Sequence, residues 1–343
     1  MVAQLARSSI LRAILIGTFA AFVLTTSERA VAAASPDETV AQVLGAMVGL
    51  RINVPPDARS AQTLGTDRAG AGVVIDENGL VLTIGYLILE ATRIDIVKLD
   101  GVAVPAHVVG YDHESGFGLV RAESALGIKP IRFGQSSALA EGSRVLAASV
   151  GQRPVTAGFV VSRKPFAGGW EYLVENAIFT SPPHPNFGGA ALINEEGRLV
   201  GIGSLYVNVS LPGAQPLPGN MFVPIDDLKP IFSDMIEHGR RAKGQKPWLG
   251  VNTEEAVGRV FVSRVTPGSP AEKAGIKPGD IIMGVGGRRV ENMIDFYRKV
   301  WTLGEPGIAV PLDVLQQSTD LTIRKVDVPS VSRYDWLNIK RGY

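Results

Sequence analysis

Four histidines and the absence of cysteine limit the chemistry available to this sequence. The histidines are His107, His113, His184 and His238. Without cysteine there is no thiolate nucleophile, no disulfide framework and no cysteine-ligated metal centre. The histidines also lack the spacing of metal-ligand motifs, so we expect neither a metal site nor a cofactor.

One arrangement of these residues would support hydrolysis. A histidine can act as the base that activates a serine hydroxyl. Ser181 is close to His184 in the sequence, and either His113 or His184 could pair with it. Such a pair would need a rebuilt loop and a separate oxyanion hole. The simpler interpretation places these histidines in surface loops, and both interpretations stay open here.

The composition indicates a folded chain without a nucleic-acid partner. Among 343 residues there are 34 lysines and arginines against 33 aspartates and glutamates, a formal net charge of +1. This balance provides no large basic field, so we expect no nucleic-acid binding. Hydrophobic residues make up 45% of the chain, which excludes general disorder, and the length allows two or three domains.

The first 34 residues have the pattern of a secretory signal peptide. Arg7 and Arg12 precede an apolar run from Ala13 to Thr26, and small residues at 30–34 offer cleavage sites. The run is short for a bilayer-spanning helix, although an uncleaved membrane anchor is the alternative. We therefore expect an exported protein of the bacterial periplasm.

The elements that position any site fall into two units. From Gly70 to about Pro224, short β-branched runs alternate with turn signals, a pattern typical of a barrel or sandwich. A helix is predicted from Asp226 to His238, ending at Gly239. Its apolar face would carry Leu228, Phe232, Met235 and Ile236. A polar linker, 240–246, follows.

A second unit begins at Trp248 and contains a helix near Asn292–Leu303. Asn292 and Asp295 have the spacing of an N-cap and an acidic third position. The apolar stripe of this helix would be Phe296, Val300 and Leu303. Asp280 is expected to anchor a turn through its own side chain.

Residues 247–328 resemble a PDZ domain of the type fused to HtrA/DegP-family proteases. The motifs that carry the resemblance are Pro247-Trp-Leu-Gly-Val251, Val265-Thr-Pro-Gly-Ser-Pro-Ala271, Ala274-Gly-Ile-Lys-Pro-Gly-Asp-Ile-Ile282 and Gly286-Gly-Arg-Arg-Val290. In PDZ domains a partner's chain end adds as a strand at the sheet edge, and backbone N–H groups bind its terminal carboxylate. The resemblance therefore implies a peptide-binding site.

That site is expected in two parts. The resemblance places the carboxylate-binding loop at Trp248, Leu249, Gly250 and Val251, where glycine allows close approach of the backbone. The side chains of Leu249, Val251, Phe296 and Val300 would line the pocket for the partner's last side chain. The alternative is that these residues only fill a small core, and both can hold together.

Residues 70–224 resemble the trypsin-like protease domain of the same HtrA/DegP family. The matching stretches include Gly70-Ala-Gly-Val-Val-Ile-Asp76, Gly79-Leu-Val-Leu-Thr83, Ala106-His-Val-Val-Gly-Tyr-Asp112 and Asn220-Met-Phe-Val-Pro224. The fold class expected from both resemblances is mainly β: a trypsin-like double β-barrel followed by an α+β PDZ domain. The active site of such proteins lies between the barrels.

The three catalytic positions of that family are occupied by unsuitable residues. A serine protease needs a serine nucleophile, a histidine base and an orienting aspartate. By comparison with the family motifs, Tyr86 takes the histidine position, Gly116 the aspartate position and Gly188 the serine position. The flanking motifs match at all three places. We therefore expect no catalytic residues, because glycine provides no nucleophile for a base to activate.

Three functions follow as hypotheses. The first is a pseudoprotease that binds C-terminal or extended peptides and unfolded proteins, as chaperone, adaptor or regulator in protein quality control. The second is a serine-type endopeptidase with non-standard residues, and the third is a structural role. The resemblance also implies a homo- or hetero-trimer with an active relative. The expected segments are 1–34 (signal), 35–69 (N-terminal segment and loop), 70–239 (protease-like), 240–246 (linker), 247–328 (PDZ) and 329–343 (tail).

Overall fold

The structure is a computed structural model that describes residues 36–211, 213, 215–316 and 322–337. The signal-peptide prediction for residues 1–34 lies outside the described residues. The described chain forms two closed β-barrels followed by a mixed sheet-and-helix unit. The predicted mainly β class, with a double barrel before a PDZ-like unit, is therefore confirmed.

The first barrel consists of six antiparallel strands with three short helices. The strands are β1 Met47–Asn53, β2 Asp67–Val74, β3 Leu80–Ile84, β4 Arg93–Val97, β5 Ala103–Tyr111 and β6 Phe117–Ala122, and the helices are α1 Pro36–Gly45, α2 Ala61–Leu64 and α3 Gly85–Ile88. The strands close in the order β1-β2-β3-β6-β5-β4.

The position of β1 corrects the predicted start of this domain at residue 70. β1 pairs with both β2 and β4 along its length, so the barrel cannot close without it. Leu50 and Ile52 point inward and are buried, while Arg51 and Asn53, which alternate with them, are exposed. This alternation is the signature of a half-buried strand.

The second barrel closes in the same manner and lies directly against the first. Its strands are β7 Arg144–Ala148, β8 Val155–Gly168, β9 Tyr172–Ser181, β10 Ala191–Ile193, β11 Leu199–Val209 and β12 Leu217–Pro224. The order is β10-β11-β12-β9-β8-β7. One apolar core continues from the first barrel to Ala191, Leu199 and Val223 of the second. The two barrels therefore share packing, which fixes the cleft between them.

The helix predicted over Asp226–His238 is shorter than expected. Residues Ile225–Asp227 and Lys229–Ile231 form 3₁₀ turns, and the α-helix α4 is Phe232–His238. Gly239 ends it in the left-handed region at φ 71°, as predicted. Ile236 is 38% exposed, so it does not belong to the apolar face that Leu228 and Met235 bury.

The third unit contains a six-stranded sheet and two helices. The strands are β13 Val251–Ala256, β14 Arg259–Val265, β15 Ile281–Val285, β16 Arg288–Arg289, β17 Ala309–Leu315 and β18 Ile323–Pro329, and the helices are α5 Pro270–Lys273 and α6 Met293–Trp301. The order is β13-β14-β15-β17-β18, with β16 beside β15. β13 is therefore an edge strand of the sheet.

Two local predictions in this unit are confirmed and one is wrong. The Asn292 side chain accepts a hydrogen bond from Asp295 N at 2.8 Å and begins α6. Asp280 accepts from Lys277 N at 2.9 Å and closes its turn. Leu303 lies beyond the end of α6 and is 37% exposed, so the buried stripe contains only Phe296 and Val300 of the predicted three.

The predicted tail carries one further helix, α7 Arg333–Leu337, which packs on the first barrel. Tyr334 and Leu337 are buried there beside Leu89 and Tyr111. Among the described residues, no helix combines the length and apolarity needed to cross a membrane.

Candidate functional site

Tyr86 and Gly188 face each other across the cleft between the barrels. Tyr86 lies in α3, directly after β3, and Gly188 lies in the loop before β10. A Cβ placed on Gly188 would lie 3.0 Å from the Tyr86 hydroxyl oxygen. These two positions, predicted as replacements for the base and the nucleophile, are therefore neighbours in space.

The Tyr86 phenol is poorly suited to act as a base. Its hydroxyl donates to the Ser204 carbonyl oxygen at 2.9 Å, so its proton is already engaged. Burial raises the pKa of Tyr86 to about 12. The phenol is therefore neutral at pH 7 and keeps its proton.

Gly116, the third of the three catalytic positions, lies at the turn between β5 and β6. Its carbonyl oxygen accepts from Gly85 N, next to Tyr86, at 2.6 Å. Its φ is 85°, and a Cβ there would lie 2.7 Å from the Tyr172 hydroxyl oxygen. The structure thus brings all three predicted positions together, and the place of the orienting carboxylate is filled by the Tyr172 side chain.

The two histidines that could have paired with Ser181 have other partners. His184 Nδ1 shares a hydrogen bond with Thr156 Oγ1 at 2.8 Å, while Ser181 Oγ donates to the Pro218 carbonyl oxygen at 2.9 Å. His113 shares one with the Tyr111 hydroxyl at 2.8 Å. Both imidazoles are buried, so the interpretation of these two as surface-loop residues is wrong.

His113 is held as a neutral ring. Arg333 donates to its Nε2 at 2.7 Å, which leaves the proton on Nδ1, facing Tyr111. Burial, and then the charge of Arg333, hold the pKa of His113 well below its ordinary value. The ring is therefore uncharged near neutral pH and is part of the packing between the first barrel and α7.

The predicted carboxylate-binding loop binds a carboxylate, and this carboxylate belongs to the same chain. The backbone N–H groups of Leu249, Gly250 and Val251 donate to the two carboxylate oxygens of Glu171 at 2.9, 2.7 and 2.9 Å. Gly250 has a φ of 88°, and a Cβ there would lie 2.2 Å from Ser269 Cβ. Glycine is therefore required for this turn.

The apolar residues predicted to line the pocket lie together below this loop. Leu249, Val251, Phe296 and Val300 are all buried in one cluster, and Leu173 of β9 belongs to the same cluster. Trp248 points elsewhere, with its ring 5.0 Å from that of Trp336 in α7. Five of the six residues predicted for peptide binding therefore lie in the loop, in β13 and in α6, which border the predicted groove, and Trp248 links the loop to α7.

Comparison with known proteins gives the same two units. The family model described as "Trypsin-like peptidase domain" matches residues 70–202, and the one described as "PDZ domain" matches residues 261–300. The periplasmic serine endoprotease DegP of Salmonella typhimurium is 29% identical over 289 residues, which cover 80% of this chain and 60% of DegP. The probable periplasmic serine protease do/HhoA-like of Haemophilus influenzae is 31% identical over 254 residues, covering 68% and 53%. This chain has an HtrA/DegP-family trypsin-like domain and a PDZ domain.

Solved HtrA-type structures share the fold at low sequence identity. An HtrA-type protease AlgW with a decapeptide matches with a TM-score of 0.53 at 20% identity, covering 88% of this chain and 99% of that one. A serine endoprotease from Yersinia pestis matches with a TM-score of 0.52 at 23% identity, covering 87% and 98%. The present chain spans about half to three-fifths of the length of the two curated relatives named above.

A cavity of about 430 Å³ lies beside the cleft of this HtrA/DegP-type chain. Its walls include six tyrosine and tryptophan side chains: Tyr86, Tyr111, Trp170, Tyr172, Trp248 and Trp336. The charged residues at its walls are Arg59, Arg264 and Arg333, and none of its described lining residues is acidic. A cavity of this size, largely apolar and rimmed by cations, suits an apolar group that carries a negative charge.

An ion cluster that the sequence analysis missed fixes the turn of Gly116. Arg241 donates from Nε and Nη2 to the two carboxylate oxygens of Asp112 at 2.6 and 2.8 Å. Burial alone would raise the pKa of Asp112, but the hydrogen bonds and charge of Arg241 hold it below its ordinary value. The Tyr334 hydroxyl of α7 donates to this carboxylate as well, at 3.1 Å.

Glu171 is the second missed residue. It lies at the tip of the β8–β9 hairpin, where the pair Gly168-Gly169 signals a turn. That signal could have predicted the hairpin. It could not have predicted that the carboxylate reaches a loop 78 residues further along the chain.

Proposed function

We propose that the chain is a catalytically inactive HtrA-like protein that binds peptides or unfolded polypeptides through its PDZ domain. It acts as a chaperone, adaptor or regulator in protein quality control. The observation that carries the proposal is the convergence of three N–H groups, from Leu249, Gly250 and Val251, on one carboxylate. A loop that binds a glutamate carboxylate in this geometry can bind the terminal carboxylate of a partner.

Two further observations support binding rather than cleavage. Tyr86, Gly116 and Gly188 meet in the cleft without a nucleophile or an acceptor for its proton. The adjoining aromatic cavity with its three arginines gives the old cleft a surface for an extended chain. The periplasm as location and a trimer with an active relative belong to the same proposal. They rest on the signal-like residues 1–34 and on the resemblance.

The proposal is tested first with peptides and the full-length chain. We expect a pool of fluorescein-labelled octapeptides that end in Val, Leu or Phe with a free carboxylate to bind saturably. The same peptides with an amidated C-terminus should bind at least about tenfold more weakly, because a charge-assisted hydrogen bond is lost. Fluorescence anisotropy measures both, and equal binding of acid and amide would remove the PDZ proposal.

A digestion assay separates this function from the endopeptidase alternative. An unfolded substrate incubated with the chain should keep its intact mass, since Gly188 offers no hydroxyl that could form an acyl-enzyme. Cleavage that is lost in Ser181→Ala would instead establish an enzyme with a relocated nucleophile. The named relatives are serine proteases, so an active relative is a suitable positive control.

Rebuilding the triad tests the assignment of the three positions. We expect Tyr86→His/Gly188→Ser to fold normally, because the Gly188 Cβ position meets only the end of the Tyr86 side chain. Adding Gly116→Asp should lower the free energy of unfolding by about 2–4 kcal/mol. The φ of this residue is positive, and its new Cβ would lie 2.7 Å from the Tyr172 hydroxyl oxygen. Tyr172→Phe should restore part of the lost stability. A crystal structure with the three new side chains far apart would refute the assignment.

A further inference from the structure

The tip of the β8–β9 hairpin, Gly168–Glu171, occupies the PDZ groove as an extended ligand would. The Glu171 carboxylate lies in the loop, and two residues earlier the Gly169 carbonyl oxygen accepts from Thr253 N of β13 at 2.8 Å. β13 is the edge strand of the sheet, so this bond extends the sheet by one strand-like contact. The tip therefore uses both the loop and the edge.

The helix side of the groove contacts the same tip. The Tyr297 hydroxyl of α6 donates to the Gly168 carbonyl oxygen at 2.8 Å, and Glu171 N donates to that hydroxyl at 3.3 Å. Leu173 adds its side chain to the apolar cluster of Leu249 and Phe296. Both walls and the floor of the groove are thus contacted by the hairpin.

The contact is close and locally strained, which shows that it depends on specific residues. A Cβ on Gly169 would lie 2.4 Å from the Thr253 carbonyl oxygen, so only glycine allows this approach. Glu171 has a φ of 57°, a left-handed conformation that is strained for a residue other than glycine. Its side chain is nearly fully buried, and its carboxylate contacts offset that strain.

We propose that the β8–β9 tip is an internal ligand of the PDZ groove, which a partner's free C-terminus must displace in order to bind. This inference rests on the proposed function, because it takes the loop as the site of the partner's carboxylate. The N–H groups of Leu249, Gly250 and Val251 already donate to Glu171. Two carboxylates cannot occupy that position together, so binding and hairpin release are coupled.

Protonation of Glu171 makes the displacement of the hairpin depend on pH. Burial raises the pKa of Glu171 to about 7, although the loop N–H groups and Arg333 act in the opposite sense. In the released hairpin the carboxyl is solvated and returns to its ordinary range near 4.3. The held form therefore binds a proton more tightly than the released form. Raising the pH from 6 to 8 favours release and should strengthen peptide binding up to about tenfold.

The other ionisable groups around Glu171 do not titrate in this range. His113, on the β5–β6 turn, stays neutral because its pKa lies well below the ordinary value. Burial raises the pKa of Tyr297 on α6, and Arg333 on α7 is the cation that acts on the Glu171 carboxyl. A dependence on pH between 6 and 8 that disappears in Glu171→Gln is therefore the signature of Glu171 itself.

The test compares Glu171→Gln with Glu175→Gln in the full-length chain. Glu175 lies on the same hairpin but is exposed and pairs with Arg298, so it is a matched control. We expect Glu171→Gln to bind the free-acid octapeptide pool about ten- to a hundredfold more tightly than the unchanged chain, and without the pH dependence. Glu175→Gln should change affinity less than about threefold.

Hydrogen exchange of the Leu249, Gly250 and Val251 amides provides a readout that needs no peptide. Exchange should be slow in the unchanged chain and faster in Glu171→Gln and in Gly169→Val, whose side chain separates the tip from Thr253. Unchanged exchange in both variants, or equal peptide affinity of Glu171→Gln and the unchanged chain, would overturn the internal ligand. If exchange accelerates but neither chain binds any free-acid peptide, the proposed function fails, and with it the displacement by a partner.

Discussion

Replacing Arg241 with methionine is expected to lower the free energy of unfolding by about 3–5 kcal/mol. The Asp112 carboxylate is completely buried, and Arg241 donates to both of its oxygens. Glu114 lies in the same cluster, 3.3 Å from Arg241 Nε. Methionine keeps the apolar stem but leaves two carboxyl groups without their shared cation, so one buried charge is uncompensated.

The matched control is Arg240→Met, at the neighbouring position. Arg240 pairs with Asp335 at 3.3 Å, but both side chains are largely exposed, and such pairs contribute at most about 1 kcal/mol. Urea unfolding followed by tryptophan fluorescence compares the two variants. Equal stability of Arg241→Met and Arg240→Met would contradict the buried-pair account. In the double variant Asp112→Asn/Arg241→Met, part of the loss should be recovered, because the uncompensated charge is removed.

The same pair sets a pH dependence whose sign follows from Asp112. Its native pKa is depressed, so the unfolded chain binds this proton more readily. The contribution to stability is therefore present above the ordinary pKa of about 4 and is lost as the pH falls through the lower native value. In Arg241→Met, burial alone raises the pKa of Asp112, so the loss of stability relative to Arg240→Met should be largest at neutral pH and should shrink as acid protonates the carboxyl.

Replacing Gly189 with alanine is expected to destabilise the chain by about 3–5 kcal/mol, whereas Gly188→Ala should cost less than about 1 kcal/mol. Gly189 has a φ of 77°, and a Cβ there would lie 1.9 Å from the Ala71 carbonyl oxygen and 2.6 Å from Thr83 Oγ1. The Gly188 Cβ position meets only the Tyr86 hydroxyl, at 3.0 Å.

This pair of adjacent glycines separates two explanations for the missing serine. If packing excluded a side chain at position 188, its glycine would have a structural cause. The geometry provides that cause at position 189, whereas a Cβ at position 188 would have one close contact, with the end of the Tyr86 side chain. Thermal unfolding of the two alanine variants decides the matter, and a large loss in Gly188→Ala would show that packing, rather than loss of catalysis, accounts for the glycine.

Features determined by nearby residues could be predicted from the sequence. The Asn292 cap, the Asp280 turn and the end of α4 at Gly239 each depend on a few consecutive residues. The meeting of Tyr86 with Gly188 was also predictable, because the motifs flanking both positions match those of a known fold. Long-range geometry then followed from the resemblance rather than from the residues alone.

Features determined by contacts between distant segments could not be predicted. Glu171 was missed because a glutamate at a hairpin tip is ordinarily solvated, and only the position of the PDZ unit buries it. His113 was assigned to a surface loop because α7, some 220 residues later, is what covers it. The start of the first barrel was misplaced because β1 has few β-branched residues and pairs with strands that follow it.

The most direct test of binding without cleavage is an anisotropy titration of the free-acid octapeptide pool, followed by mass analysis of the recovered peptides. We expect saturable binding that requires the free carboxylate and recovery of every peptide at its full mass. Equal affinity for free-acid and amidated peptides would contradict the account. So would cleavage of the peptides that Ser181→Ala abolishes.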